Sequence, residues 1–167
     1  YQPDNCVLIV TGKFDEEKAL ALVQKHLGSI PQPERKLDAT YTEEPPQDGE
    51  RQVILRRVGT VGSVGVAYHI RSASHPDWAP LSLLGGILSQ SPNGRLYKAL
   101  VESKLSTGAS ARADNQHDPG LFSANASAEP DKLDAVKDAL LKSLETLGET
   151  PFTADEVDKA KARSKRQ

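Results

Sequence analysis

The fold is decided by the stretch from Thr107 to Ala128, which reads TGASARADNQHDPGLFSANASA. Two runs rich in small residues occupy its ends, and the segment between them, residues 114–120, is dense in turn formers. Two such runs joined by turn formers predict an antiparallel β-hairpin with a rather long loop. The hairpin gives the flanking segments an antiparallel sheet on which to pack.

A further strand is predicted before the hairpin. In the run Val64–Ile70 large side chains alternate with small ones, so one face of the strand is bulky and the other is small. The small face consists of Ser63, Gly65, Ala67 and His69. A strand of this kind packs helices on its bulky face and permits close approach on its small face.

Helices are predicted on both sides of the hairpin. Before it, one helix opens at residues 74–77 with proline in its first turn, and a shorter helix covers residues 95–102. After it, a strongly amphipathic helix starts at Pro130 and ends at Gly148, and the capping box formed by Thr153 and Glu156 begins a last helix. Hairpins and helices segregated in this way predict an α+β domain, in which helices pack on one face of an antiparallel sheet.

The first thirty residues predict a strand followed by a helix. Cys6–Val10 is a short apolar run closed by a glycine at position 12, which predicts a buried strand. Asp15 can cap the helix that follows, and Gly28 ends it. In a buried strand Cys6 is interpreted as an inert thiol, and as the single cysteine it excludes an intrachain disulfide.

A proline-rich segment, residues 31–50, separates this start from the rest of the chain. It holds four of the eleven prolines and shows no hydrophobic periodicity, so it predicts a semi-extended linker and a domain boundary. A long surface loop inside one domain is the alternative. Residues 51–58, directly after the segment, alternate in character and predict a strand.

Composition limits the possible functions. The chain has 167 residues, with 21 Lys+Arg against 23 Asp+Glu and a net charge of -2. This balance argues against binding to nucleic acid or to an anionic membrane, and no apolar run approaches the roughly 18 residues of a membrane span. The chain opens at Tyr1 and has no Met, so we expect a processed product or a piece of a longer protein.

The residues do not form a self-contained catalytic constellation. Zinc peptidases place two histidines four residues apart on one helix, but the histidines here are at 26, 69, 75 and 117. Cys6 has no candidate base nearby, and the sequence has no G-x-S-x-G nucleophile elbow. We therefore expect neither catalytic residues nor a metal site within this chain.

Two groups of segments carry a family resemblance. The first is Tyr1–Asp15 with Leu27–Pro31, and the second is Val64–Ile70, Leu83–Ser89, Gly94–Glu102 and Pro151–Lys161. In this order they resemble the pitrilysin/insulysin family of zinc metallopeptidases, the insulinase-like inverzincins, which includes the mitochondrial processing peptidases. The first group is similar to the end of one domain and the linker of that family. The second group is similar to its noncatalytic second domain.

The resemblance implies two or four processing-peptidase-like metallohydrolase domains enclosing a peptide-binding chamber. It places zinc, the cofactor, in the parent's catalytic domain, on an H-x-x-E-H helix upstream of these residues, and no cofactor in this chain. A C-terminal domain of the family supplies an Arg and a Tyr that help to bind substrate. Those positions are Val101 and Gly108 here, so the substrate-binding residues stay unassigned.

The resemblance also predicts the domain organisation. Residues 1–30 are the last strand–helix unit of the preceding catalytic domain, and residues 31–50 are the proline-rich linker. Residues 51–167 are a noncatalytic C-terminal-type peptidase domain that stops inside its final helix. Its partners are the parent's catalytic domain and, through it, peptides, and a strand edge left open could join two copies of the chain in a dimer.

The function expected is that of a noncatalytic part of a zinc-dependent metalloendopeptidase that degrades or processes peptides. Whether the chain counts as an enzyme is left open, because it lacks the zinc motif while its parent would carry one. A scaffold or assembly domain of a homologue that has lost catalysis is the first alternative, and an unrelated α+β binding domain is the second. The compartment is also open, periplasm or cytoplasm if the source is bacterial.

Overall fold

The computed structural model describes residues 3–34 and 46–166. The chain divides into two compact units, Tyr1–Pro46 and Gln47–Gln167. The first unit holds a 3₁₀ turn, Pro3–Asn5, and helix α1, Glu16–Leu27. As the sequence predicts, Asp15 caps this helix by accepting a hydrogen bond from the backbone N–H of Lys18 at 3.1 Å.

The buried strand predicted over Cys6–Val10 is wrong for this structure. The run forms no strand, and Val7 and Ile9 are 88% and 78% exposed. A strand needs a neighbour for its N–H and C=O groups, and residues 3–34 contain no other strand. Cys6 is therefore exposed, and its interpretation as a buried inert thiol is also wrong.

The second unit contains three strands and three α-helices in its described residues. In chain order its elements are β1 (Gly62–Ile70), α2 (Trp78–Ser89), a π-helix (Tyr97–Glu102), β2 (Gly108–Ala113), β3 (Gly120–Ala128), a 3₁₀ turn (Pro130–Lys132), α3 (Leu133–Glu145) and α4 (Ala154–Ser164). The predicted hairpin is β2–β3, and the predicted capping box starts α4.

The strands form one antiparallel sheet in the order β1-β3-β2. The register places Val66 of β1 and Ala111 of β2 on either side of Ala124 in the central strand. Side chains at directly opposed positions share a face, so these three line the same side of the sheet. The prediction of an α+β fold with an antiparallel sheet and helices is confirmed.

The core lies on that side of the sheet, between the strands and the helices. Alanines at 111, 124, 126 and 128 keep this face of the sheet shallow, so that large side chains from the helices can reach it. The largest fully buried side chains come from α2, α3 and the segment of the π-helix, and they are Leu88, Leu96, Leu100, Val136 and Leu140. Truncating one of them to alanine should cost about 2–5 kcal/mol.

The strand predicted over residues 51–58 is not formed. All eight residues are exposed, and Val53 and Leu55 retain 81% and 76% of their accessible surface. No other described segment pairs with them, since the sheet contains β1, β2 and β3 only. Among residues 3–34 and 46–166 there is also no helix with the length and apolar character needed to cross a bilayer.

Candidate functional site

One face of the sheet carries the core, and the other faces solvent. We call the second the open face and define it by eleven residues: Ser63, Gly65, Ala67 and His69 of β1, Leu121, Ser123, Asn125 and Ser127 of β3, and Gly108, Ser110 and Arg112 of β2. Most of these side chains are small, as the sequence predicts for the β1 part. The surface is therefore shallow, and another polypeptide can approach the strands closely.

Asn125 lies near the middle of the open face. The register places it between Gly65 of β1 and Ser110 of β2. Its side chain lies over the glycine, because a Cβ added to Gly65 would be 2.7 Å from the Asn125 Oδ1 atom. Gly65 thus accommodates the amide on the central strand, where a larger residue would displace it.

The open face is almost electrically neutral. Arg112 is its one fully charged side chain, 80% exposed, with its Nε atom 3.8 Å from the Asp114 Oδ1 atom. The other polar groups are serine hydroxyls, one amide and the imidazole of His69. Such a surface can form hydrogen bonds with a neutral polypeptide, and it has no charge pattern that would select a strongly acidic or basic partner.

The outer edge of β2 is covered by α2. The hydroxyl of Ser89 donates to the backbone carbonyl of Ala111 at 2.8 Å and accepts from its N–H at 2.5 Å. The Trp78 indole of the same helix donates to the carbonyl of Asp114 at 2.9 Å. These side chains fix α2 along β2, which leaves the edge of β1 as the other boundary of the open face.

Val101 and Gly108, the two positions matched to the family's Arg and Tyr, lie close in sequence at the start of β2. Val101 is half-buried in the π-helix, whereas Gly108 is exposed and begins the strand. A Cβ added to Gly108 would meet no atom within 4 Å, so local packing does not require glycine there. Neither residue offers a side-chain polar group to a peptide.

The π-helix ends in a Schellman motif. Leu105 donates its N–H to the carbonyl of Leu100, and Lys104 donates to Val101, both at 3.0 Å. Lys104 has a φ of 62°, the left-handed conformation that this motif demands and that glycine usually supplies. Ser106 follows as a buried polar residue, and its hydroxyl is 2.7 Å from the carbonyl of Ser127 and joins the start of β2 to the end of β3.

Arg95 ties the start of the π-helix segment to the start of α4. Its guanidinium donates to both carboxylate oxygens of Glu156, Nε to Oε1 at 2.9 Å and Nη2 to Oε2 at 3.0 Å. It also donates to the carbonyls of Thr150 and Pro151 at 2.7 and 3.0 Å, and lies 4.1 Å from the centroid of the Phe152 ring. The capping box at residues 153–156 was visible in the sequence, but its arginine partner 61 residues away was not.

The contacts of Glu156 hold its pKa far below the usual range. The Arg95 hydrogen bonds, followed by the backbone N–H of Thr153, lower the pKa of Glu156 from 4.5 to about 2. Tyr68 shows the opposite effect, since burial and then the Glu145 carboxylate, 3.2 Å from its hydroxyl, raise its pKa above 10.0. Neither group adjoins an acid–base partner suited to catalysis, so both pKa values reflect packing between elements.

The histidines do not build a metal centre in this structure. His75 and His117 contact the nearby Asp77 and Asp118 at 3.3 and 3.2 Å, and both pairs are exposed. No group of three or more His, Cys, Asp or Glu side chains that could hold a metal ion occurs among the described residues. The arrangement suits binding to a polypeptide surface and does not suit hydrolysis.

Comparison with known proteins agrees with this assignment. The sequence profile of the family described as peptidase M16 inactive domain matches residues 1–164. The chain is 28% identical over 169 residues to the zinc protease PqqE of Helicobacter pylori, and the match covers 99% of this chain and 38% of that protein. The chain thus spans less than two fifths of the length of this relative.

Solved structures show the same similarity. A protease from Helicobacter pylori superimposes with a TM-score of 0.82 at 26% identity, over 92% of this chain and 38% of that one. The inactive peptidase domain of a candidate zinc protease from Bordetella parapertussis gives a TM-score of 0.60 at 38% identity, over 66% of this chain and 61% of that one. These neighbours share the mixed α/β fold and the antiparallel sheet.

Proposed function

We propose, from the premise that this chain belongs to the peptidase M16 inactive-domain family, that it forms a wall of the peptide-binding chamber of a zinc metallopeptidase. The chain is a noncatalytic domain of the zinc-metallopeptidase type. The observation that carries the proposal is the open face, a neutral and shallow sheet surface exposed on the side opposite the core. Zinc and the water that it activates would be supplied by the catalytic domain of the same parent protein.

The proposed organisation assigns each part of the chain to one side of a linker. Residues 1–30 complete the preceding catalytic domain, residues 31–50 connect, and residues 51–167 form the chamber wall. The exposed apolar run Cys6–Val10 supports this assignment, because Val7 and Ile9 have strand-forming side chains and no neighbouring strand within the first unit. A sheet edge in the preceding domain would supply that neighbour.

The open face would guide peptides without selecting them by charge. Ser110, Ser123 and Ser127 offer hydroxyls that can both donate and accept, and Asn125 offers an amide. Backbone amides of any peptide can use such groups regardless of side chains. We therefore propose that this domain contributes broad peptide binding and that the catalytic domain chooses the scissile bond.

The experiment is a bulky substitution on the open face in the intact parent peptidase. Ala67→Trp places an indole on the β1 part of the open face, and Ala135→Trp places the same side chain on the exposed side of α3. We expect Ala67→Trp to lower kcat/KM for an unfolded peptide by at least about tenfold, which is about 1.4 kcal/mol. Ala135→Trp should leave it within about twofold. Equal effects of the two variants, with unchanged unfolding temperatures, would contradict the proposal.

A scaffold role is the second candidate, and one observation favours it. Val101 and Gly108 stand where the family has a substrate-binding Arg and Tyr, so this domain lacks two polar groups that a peptide would use. The catalytic domain of the parent distinguishes the two functions. An intact H-x-x-E-H helix there that binds zinc supports the peptidase, and its absence, with assembly failing when this domain is deleted, supports the scaffold.

A further inference from the structure

The edge of β1 is open in the second unit, in contrast to the edge of β2. Ser89 of α2 occupies the outward-facing N–H and C=O of Ala111 in β2. Within residues 46–166 the sheet has the order β1-β3-β2, and no further strand lies beyond β1. An uncovered edge of nine residues presents a row of backbone groups that can pair with another extended segment.

The alternation of hydrogen bonds identifies which groups face that edge. Asp114 donates its N–H to the carbonyl of Leu121 at 2.9 Å, so Leu121 bonds toward β2. Bonding directions alternate along an antiparallel strand, so Phe122 bonds toward β1, where the register places it opposite Tyr68. The same alternation along β1 turns the N–H and C=O of Gly65 away from β3 and toward the open edge.

The segment before β1 has the side chains of a strand that lacks a neighbour. We call residues Arg51–Val58 the strap. Its apolar residues Val53, Ile54 and Leu55 are 81%, 63% and 76% exposed, although β-branched and apolar residues favour sheets. Three residues separate the strap from β1, which is a connection of the length found in hairpins.

The connection also contains a specific turn signal. Glycine at the first central position is typical of the two-residue type II′ turn that joins hairpin strands. Gly59 and Thr60 fit these central positions, which places Val58 opposite Val61. A turn at this place fixes the pairing of the whole strap, because each step back along the strap meets one step forward along β1.

The resulting register matches the faces of the sheet. Leu55 falls opposite Val64, and Val53 falls opposite Val66. Both valines of β1 pack against the hydrophobic core. Closure would therefore move the two exposed apolar side chains of the strap to the side of the sheet that carries the helices. A slip of one residue would direct them to the open face instead.

The same register also matches the hydrogen-bonding directions. The residues that flank a two-residue turn form a hydrogen-bonded pair, and every second pair after them does the same. This rule makes Ile54 and Gly65 a hydrogen-bonded pair. Gly65 is the residue whose backbone groups face the open edge according to the independent argument from β3.

We propose that the strap closes onto β1 as a fourth strand, through a hairpin around Gly59 and Thr60, and that the structure shows its open state. Closure satisfies the backbone groups of the β1 edge and buries Val53 and Leu55. It also blocks the addition of a second copy of the chain at this edge. The strap is thus a built-in cover for an edge that would otherwise recruit other strands.

The first test is a disulfide between Leu55→Cys and Val64→Cys, made in the whole chain with Cys6→Ser. This is a pair without mutual hydrogen bonds, in which Cβ atoms approach most closely and a disulfide can form. We expect mild oxidation to link the two positions within one monomer. The matched control, Ile54→Cys with Val64→Cys, places the thiols on opposite faces and should not link.

The second test is hydrogen exchange at the amides of Gly65 and Ala67 in the monomer. Closure predicts protection that Gly59→Val reduces by at least about tenfold, because a β-branched residue cannot take the positive φ of the turn. Thr60→Ala should leave the protection unchanged. The proposal is overturned if these amides exchange without protection in the monomer, or if the 55–64 disulfide forms only between two chains, which would assign the edge to a second copy.

Discussion

The Cα atom of Gly85 in α2 lies directly against the backbone of Ala111 in β2. A Cβ added to Gly85 would be 3.1 Å from the Ala111 carbonyl oxygen and 3.2 Å from the Cα atom of Arg112. The next residue, Gly86, has no atom within 4 Å of such a Cβ. One glycine therefore sets the distance between helix and sheet, and its neighbour does not.

The two glycines should respond oppositely to alanine. Gly86→Ala should raise the free energy of unfolding by about 0.5–1 kcal/mol, because alanine favours the helix and reduces the freedom of the unfolded chain. Gly85→Ala gains the same term but must push α2 away from β2, so it should be less stable than Gly86→Ala by about 1–3 kcal/mol. Urea unfolding of both variants measures the difference, and equal stability would show that the contact is not tight.

The Arg95–Glu156 pair should contribute more than an exposed ion pair of the same helix. Arg95→Ala removes hydrogen bonds to a carboxylate and to two carbonyls, so it should lower the free energy of unfolding by about 3 kcal/mol. Lysine cannot reproduce the two-pronged geometry, and Arg95→Lys should recover less than half of that loss.

The control for this prediction is the exposed pair Lys159–Asp155, 2.6 Å apart on α4. Lys159→Ala should change the free energy of unfolding by no more than about 0.5 kcal/mol. A cost for Arg95→Ala as small as that of the control would mean that the clamp does not couple α4 to the π-helix segment.

Glu156 should make the stability depend on pH in the acid range. Its pKa is lowered from 4.5 to about 2, so the folded state favours the ionised form. The stabilisation is complete above pH 4.5 and is lost as the pH falls toward about 2. The stability difference between the native chain and Glu156→Gln should therefore shrink across this window. A difference that stays constant from pH 6 to pH 2, as measured by urea unfolding at each pH, to within about 0.3 kcal/mol would contradict the assignment.

Lys104 should be replaceable by glycine with a gain in stability. Its φ of 62° costs a residue with a Cβ about 1 kcal/mol, and glycine avoids that cost. Lys104→Gly should therefore raise the free energy of unfolding by about 1 kcal/mol, as seen in thermal unfolding. Lys104→Ala keeps the Cβ and removes only the exposed amine, so it should show no such gain.

The sequence predicted those elements whose pattern is local. The alternation in β1, the turn formers between β2 and β3, and the capping box at Thr153 each depend on neighbouring residues, and each element is present. The resemblance to zinc metallopeptidases added the family, which the comparisons confirm. The open face followed in part, because the small residues of β1 were visible as a stripe.

What the sequence did not predict depends on distant partners. Cys6–Val10 and the strap have strand-like side chains, but a strand exists only where another strand accepts its hydrogen bonds. Arg95 finds Glu156 across 61 residues, and no local pattern distinguishes it from an exposed arginine. The π-helix was predicted as an ordinary short helix, since the two differ in hydrogen bonding and not in side-chain periodicity over six residues.

The central claim, that this chain is a noncatalytic domain whose activity depends on a zinc-bearing partner domain, is tested most directly by titrating the chain with zinc and then supplying an unfolded peptide. Calorimetry should detect no stoichiometric tight binding, and the zinc-treated sample should cleave the peptide no faster than a blank. Stoichiometric tight zinc binding, or steady proteolysis that a chelator abolishes, would contradict it.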